Sequence, residues 1–375
     1  MEKRHSEQLS EVRPTMECYR HVLITLSKAI PDTPDINVVE EVDSILSLME
    51  DRALFPDSIC YSAAVKACCN QVKYLSSSHH EGAKKAIEML MTMSEMEFRS
   101  SVPVKPTNYD FNNVLEALTH DRKGVQDAEK LLQKMESLYE EGHEHMAPTH
   151  DSYLHTINAW NRSPMYEERA EACLRLLDGL NSQYEKGNES CTPSVECFNA
   201  ALIVCGSVRT SDIVQKKKLL LTAVKIVKDL RESDLDVNSE TYRRLIEAFH
   251  LLHTGSDEQK WDAIQSIFDK CCSEGLVDDS VLQTFQKVAP STMYTKVVIQ
   301  ASARENGITI DDVESEGIFL PQDWTRKIKG QGRRRIPLSV EGEYLSPRSP
   351  ISCEKKMTLL RSRDNQKLLR GGRPV

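Results

Sequence analysis

Residues 105–118 read KPTNYDFNNVLEAL. Pro106 cannot extend a preceding helix, and it holds the chain extended into Thr107. Thr107 is a residue type whose side-chain oxygen accepts the free amides of a first helical turn. Phe111 follows four residues later, then Val114, Leu115 and Leu118. That spacing puts one aromatic and three smaller apolar groups on one face of a helix.

The same arrangement occurs six times. Pro14–Thr15 leads to Tyr19, Val22, Leu23 and Leu26, and Pro56–Asp57 to Tyr61, Ala64, Val65 and Cys68. After the copy at 105–118, Pro148–Thr149 leads to Tyr153, Thr156, Ile157 and Trp160. Pro193–Ser194 leads to Phe198, Ala201, Leu202 and Cys205. Val237–Asn238, lacking the proline, leads to Tyr242, Leu245, Ile246 and Phe249. A second apolar stripe follows each copy, as in Ala128, Leu131, Leu132 and Met135. We call the capped helix A and its follower B. The aromatics stand 42, 50, 42, 45 and 44 residues apart. A period of this size holding two amphipathic helices predicts an all-α solenoid, a right-handed superhelix of helix–turn–helix units. The spare residues fall in expected loops at Gln71–His80 and Gly142–Ala147. A partial seventh unit is expected from Asp278, closed by a helix over 280–288. The expected organisation is a lead at 1–13, the array at 14–298 and a mostly disordered basic tail at 299–375.

Composition narrows the function classes. The 375 residues contain no apolar run long enough to span a membrane, and no membrane contact is expected. The opening MEKRHSEQLSEVRPT has neither a signal-peptide core nor the composition of a transit peptide, so the expectation is either no N-terminal address or a start downstream of one. Eleven cysteines form no C-x-x-C pair and lie mostly within helical patterns, so they read as reduced core residues of an intracellular protein. His79–His80, His143/His145 and His250/His253 have no partner at zinc spacing. No H-x-E with a later C-x-x-C, P-loop, G-x-S-x-G or G-x-G-x-x-G appears. The expectation is a non-enzymatic protein with no cofactor, metal or small-molecule substrate. Charge is uneven: residues 321–375 carry +9, against −18 for the remainder. Arg326, Lys327, Lys329, Arg333, Arg334 and Arg335 cluster in that tail. Phosphate contact, folding back on the acidic array, a nuclear-type signal and simple solubilisation all remain open for it.

The entrances PDSICYSAAVKAC, KPTNYDFNNVLEAL and TPSVECFNAALIVC, with the second-helix pattern AEKLLQKM, resemble the pentatricopeptide repeat family over about residues 14–290. LPQDWTRKI at 320–328 resembles a segment that follows such arrays in some members. The resemblance implies single-stranded RNA binding in mitochondria or chloroplasts, about one base per unit. It implies that the residue after each aromatic and the next cap read a base edge together. The pairs are Arg20 with Asp57, Ser62 with Thr107, Asn112 with Thr149, Leu154 with Ser194, Asn199 with Asn238, and Arg243 with Asp278. Leu154 cannot hydrogen-bond, and arginine is atypical at this position. RNA binding is then expected to weaken steeply with salt and to depend on Asn112 and Asn199. Two residues before the aromatic, where the family sandwiches the base with an apolar group, stand Glu17, Ile59, Tyr109, Asp151, Glu196 and Glu240. Four acids there leave a second reading open, a scaffold whose acidic concave surface takes a basic protein or peptide.

Overall fold

The computed structural model describes residues 13–29, 37–74, 79–99, 104–165, 167–310 and 318–328. Their elements are all helical. Six A/B pairs follow in order: α1 Met16–Ala29 with α2 Val38–Glu50, α3 Ser58–Tyr74 with α4 His79–Arg99, and α5 Asn108–Leu118 with α6 Val125–Glu140. Then come α7 His150–Arg162 with α8 Arg169–Glu185, α9 Val195–Ser207 with α10 Ile213–Glu232, and α11 Ser239–Leu252 with α12 Asp257–Glu274. The expected α-solenoid of helical hairpins is the fold observed.

The cap residues hold their turns in two ways. Asp57, Asn238 and Asp278 accept the amides of Cys60, Thr241 and Val281 at 2.9, 3.0 and 2.9 Å. Thr149 and Ser152 bond reciprocally, and Asp110 accepts both the amide and the hydroxyl of Thr107 at 2.9 and 2.8 Å. Thr15 and Ser194 depart from the expected cap. A cysteine stands three residues on, and their hydroxyls meet Cys18 and Cys197 sulfur at 3.5 Å. The prolines before the first four caps are buried, so they wedge successive units as well as ending them.

The stripes form the core. Tyr61, Phe111, Tyr153, Phe198 and Tyr242 are all buried, as are Ala128, Leu131, Leu132 and Met135. Nine of the ten described cysteines are buried, and burial pushes the Cys197 thiol up to about 11. Val22 is the departure, 50% exposed, because α1 has an A-helix neighbour on one side only. Each A helix packs along the next from α1 to α13, while B-to-B contact is sparser. A row that is closer on one side bends toward that side, so the A helices line the inner surface.

Three expectations are corrected. Residues 71–80 are largely helix, since α3 runs to Tyr74 and α4 starts at His79. The seventh unit is not partial. Its α13, Asp279–Val288, is followed by α14, Ser291–Tyr294, which passes through a π-helical turn at Thr295–Ile299 into α15, Gln300–Asn306. Order therefore continues past 298.

The third correction concerns the tail. Ile318–Ile328, with α16 at Gln322–Thr325, docks on the sixth unit. Trp324 meets the Phe268 ring edge-on at 5.7 Å, and Phe268 stacks on Phe285 at 4.0 Å. Val277 donates to the Trp324 carbonyl at 2.8 Å, and Lys327 to the Gly275 carbonyl at 3.0 Å. Gly275 ends α12 at φ 75, where a side chain is strained, and a Cβ there would press on Asp323 O at 3.0 Å. These few apolar anchors outweigh the polar composition that predicts disorder. Arg326 donates to Ser273 O, so this member of the basic cluster folds back on the array. Lys329, Arg333, Arg334 and Arg335 lie outside the described residues.

Candidate nucleic-acid interface

The inner row brings three of the expected pairs together. Asn112 Nδ2 donates to Thr149 Oγ1 at 3.0 Å, and Asn112 Oδ1 accepts from Ser152 Oγ at 2.6 Å. One unit pair further on, Asn199 Nδ2 donates to Asn238 Oδ1 at 3.1 Å, and Asn199 Oδ1 accepts from Thr241 Oγ1 at 2.8 Å. In the first unit the Arg20 guanidinium bonds both Asp57 and its own helix's Glu17. The partner sets are the same each time: the residue after the aromatic, the next cap and, for the asparagines, the third helical residue of the next unit. They form polar locks between units. Burial would raise the Asp57 pKa, but the Cys60 amide and Arg20 outweigh it and hold the carboxyl below its ordinary range.

The other pairs are not joined in this way. Thr107 is held by Asp110, Ser194 by Cys197, and Leu154 and Ser62 are half-buried. Arg243 bonds Glu240 at 2.5 Å and Glu247 at 3.1 Å, with Asp278 only a nearby charge. Arg244 bonds the same two carboxylates at 2.7 and 3.0 Å, so the four charges neutralise one another.

Asn199 is buried and its groups are engaged. In this structure Asn199 thus serves as a lock between units. Asn199→Ala is expected to lower stability by about 1–2 kcal/mol, because Thr241 and Asn238 lose a buried partner. Urea unfolding followed by circular dichroism checks this; an unchanged midpoint would refute the lock.

In the middle of the row, α3, α5 and α7 carry the apolar and basic groups that remain accessible. Ile59 is 51% exposed and Tyr109 54% exposed, one unit apart at the same register. Lys66 Nζ donates to Tyr109 Oη at 2.8 Å and lies 5.4 Å from the ring centre. Lys73 pairs with Glu116, and Arg162 reaches His120 at 3.4 Å. Tyr109 was legible in the sequence through its register, whereas Lys66 was not, since its partner lies 43 residues away. The same register carries exposed Glu17, Asp151 and Glu196 and half-buried Glu240, which places acids toward both ends of the row.

His155 sits among these groups. Burial lowers its pKa, with Glu116 and Asp151 opposing and Lys73 and His150 assisting. Its depressed folded pKa contributes stability that is present above the ordinary histidine value of about 6.5 and lost as pH falls through the folded value. His250 is lowered for a similar reason. The melting temperature is expected to fall between about pH 6.5 and 5, and less steeply in His155→Gln. Scanning both proteins across that range checks it; equal slopes would refute it.

No family model matches the chain, and no curated protein matches it significantly. Among the solved structures similar to it are two of one protein. One is the pentatricopeptide repeat protein PPR10 in complex with an 18-nt psaJ RNA element, at 14% identity, 84% of this chain, 40% of that chain and a TM-score of 0.40. The other is PPR10 from maize, at 15% identity, 80% of this chain, 55% of that chain and a TM-score of 0.30. This chain thus spans about half or less of those proteins.

Proposed function

We propose that the protein is a non-enzymatic adaptor that binds a short single-stranded RNA segment on α3, α5 and α7. Its role on this reading is in organellar RNA processing, stability or translation. The observation that carries it is the exposed Ile59–Tyr109 pair, with Lys66 against the Tyr109 hydroxyl. A base inserted between Ile59 and Tyr109 would stack on the ring and leave its phosphate near Lys66. Asn112 and Asn113 lie in the same helix, half-buried, with Asn112 engaged in its lock.

Four of the eight Lys and Arg of the A row, Arg20, Lys73, Arg243 and Arg244, are already paired with carboxylates, so the salt dependence proposed here is shallow rather than steep. Two or three phosphate contacts give a slope in log Kd of roughly 1.4 to 2.1 per decade of salt, at about 0.7 per contact. Fluorescence anisotropy with labelled single-stranded RNA across a salt series measures it. Ultraviolet crosslinking with peptide mapping locates the contact, and the expected crosslinks fall in residues 58–74, 108–118 and 150–162. Crosslinks confined to other regions, or no binding at low salt, would overturn the reading.

A second reading is a protein scaffold. It is favoured by the exposed acids Glu17, Asp151 and Glu196 on the same row. A basic peptide that binds where RNA does not would decide for it.

A further inference from the structure

Among the described residues, four of the twelve exposed large apolar side chains lie on α10: Ile213, Val214, Leu221 and Val224. Val214 and Leu221 are 74% and 71% exposed. The opposite side of α10 is occupied, for Leu219, Thr222, Ala223, Ile226 and Leu230 are buried in the array. The outward side is therefore a separate surface, on the B row and away from the A-helix row.

Its spacing points to a helical partner. Val214, Leu221 and Val224 stand seven and three residues apart on one face of the helix, an apolar line that can pack along another helix, with Lys217 and Lys228 beside it. Fifteen residues at about 1.5 Å each make a contact line of roughly 22 Å. Its charge points to an acidic partner. α10 carries six Lys and Arg against one Asp and one Glu, in a chain of net charge −9. Lys218 is paired with Glu171 and Lys228 with Glu232. Lys217 and Lys225 flank Leu221, are exposed, and form no salt bridge among the described residues. Charge complementarity also excludes two occupants from this chain. The apolar stretch of the tail, KKMTLLRSRDNQKLL at 355–369, is itself basic, and a second α10 would oppose lysine to lysine.

We propose that the outward face of α10 docks an acidic amphipathic helix of a partner protein. Val214, Leu221 and Val224 supply the apolar seam, and Lys217 and Lys225 select the acidic flanks of the partner. The proposal does not rest on RNA binding. With so few apolar anchors the contact is transient, with Kd on the order of 10 μM.

The test uses the full chain and a labelled peptide of about four heptads with Leu at both seam positions and Glu at both flanking positions. A control peptide carries Lys in place of Glu. Anisotropy titration is expected to show saturable binding of the Glu peptide and about tenfold or weaker binding of the Lys peptide. Leu221→Ser is expected to weaken the Glu peptide about tenfold, and it leaves the core intact because Leu221 is exposed. The double variant Lys217→Glu, Lys225→Glu is expected to reverse the preference between the peptides. No saturation at about 1 mM, equal affinity for both peptides, or an unchanged Leu221→Ser would overturn the proposal. So would binding to phosphatidylserine vesicles instead of the peptide, which assigns the face to a membrane. A dimer in gel filtration that Leu221→Ser abolishes would overturn it too, by assigning the face to a second copy.

Discussion

Phe268→Ala is expected to destabilise the C-terminal end of the array by about 3–5 kcal/mol, while the first five units keep their protection. Phe268 is fully buried, stacked on Phe285 and capped by the edge of Trp324. Removing the ring therefore opens a cavity touched by α12, α13 and the returning segment at 318–328. The loss is local because the core has two parts. One runs from Tyr19 to Leu252, and the other from Tyr242 to Ile318, with Phe268 in the second. In a stacked array each unit contacts its neighbours alone, so stability is close to a sum of unit and interface contributions. Hydrogen exchange by mass spectrometry reads the result. Amides in 257–299 are expected to lose protection, and those in 108–205 to retain it. A uniform loss along the chain would show that the two clusters unfold as one.

Tyr109→Ala is expected to weaken single-stranded RNA binding by about 1–3 kcal/mol, roughly 5- to 150-fold in Kd. Stability is expected to change little, since the ring is half-exposed and belongs to no core cluster. Tyr109→Phe separates the two contributions. It keeps the stacking face and removes the hydroxyl that receives Lys66, so a smaller loss is expected. Wild-type affinity in Tyr109→Ala would sink the proposed RNA surface. Equal losses in both variants would place the binding energy in the lysine contact rather than in stacking. Phe268 and Tyr109 lie in separate units, and neither variant touches the residues of the other.

The organisation of the array was legible because it rests on short-range rules. A proline, a cap and an apolar step of three and four residues are properties of about a dozen consecutive positions. Six repetitions make the reading redundant, and the buried faces of α1 to α12 follow it with Val22 as the departure. The loop expected at 71–80 failed for a reason of the same kind. A run such as QVKY does not end a helix when Gln71 and Val72 are buried, Val72 beside Gly82 of the following helix. LPQDWTRKI was noticed in the sequence, but its docking was not, because Trp324 finds Phe268 across 56 residues of chain.

The candidate readers divide in the same way. Their positions came from the local pattern, and the structure does bring Asn112 to Thr149 and Asn199 to Asn238. Whether such an asparagine is open to a base depends on what stands three residues past the next cap. Ser152 and Thr241 complete the hydrogen bonds there, and both asparagines close on the protein itself. The lysines and apolar groups of α10 were also present in the sequence, scattered over fifteen positions with two competing periodicities. Folding buried Leu219, Ala223 and Ile226 and left Val214, Leu221 and Val224 outside. Periodicity is a local quantity, so the residues alone specify helices, caps and the repeat. Exposure and pairing depend on neighbours some 40 residues away, and those are assigned only when the units stack.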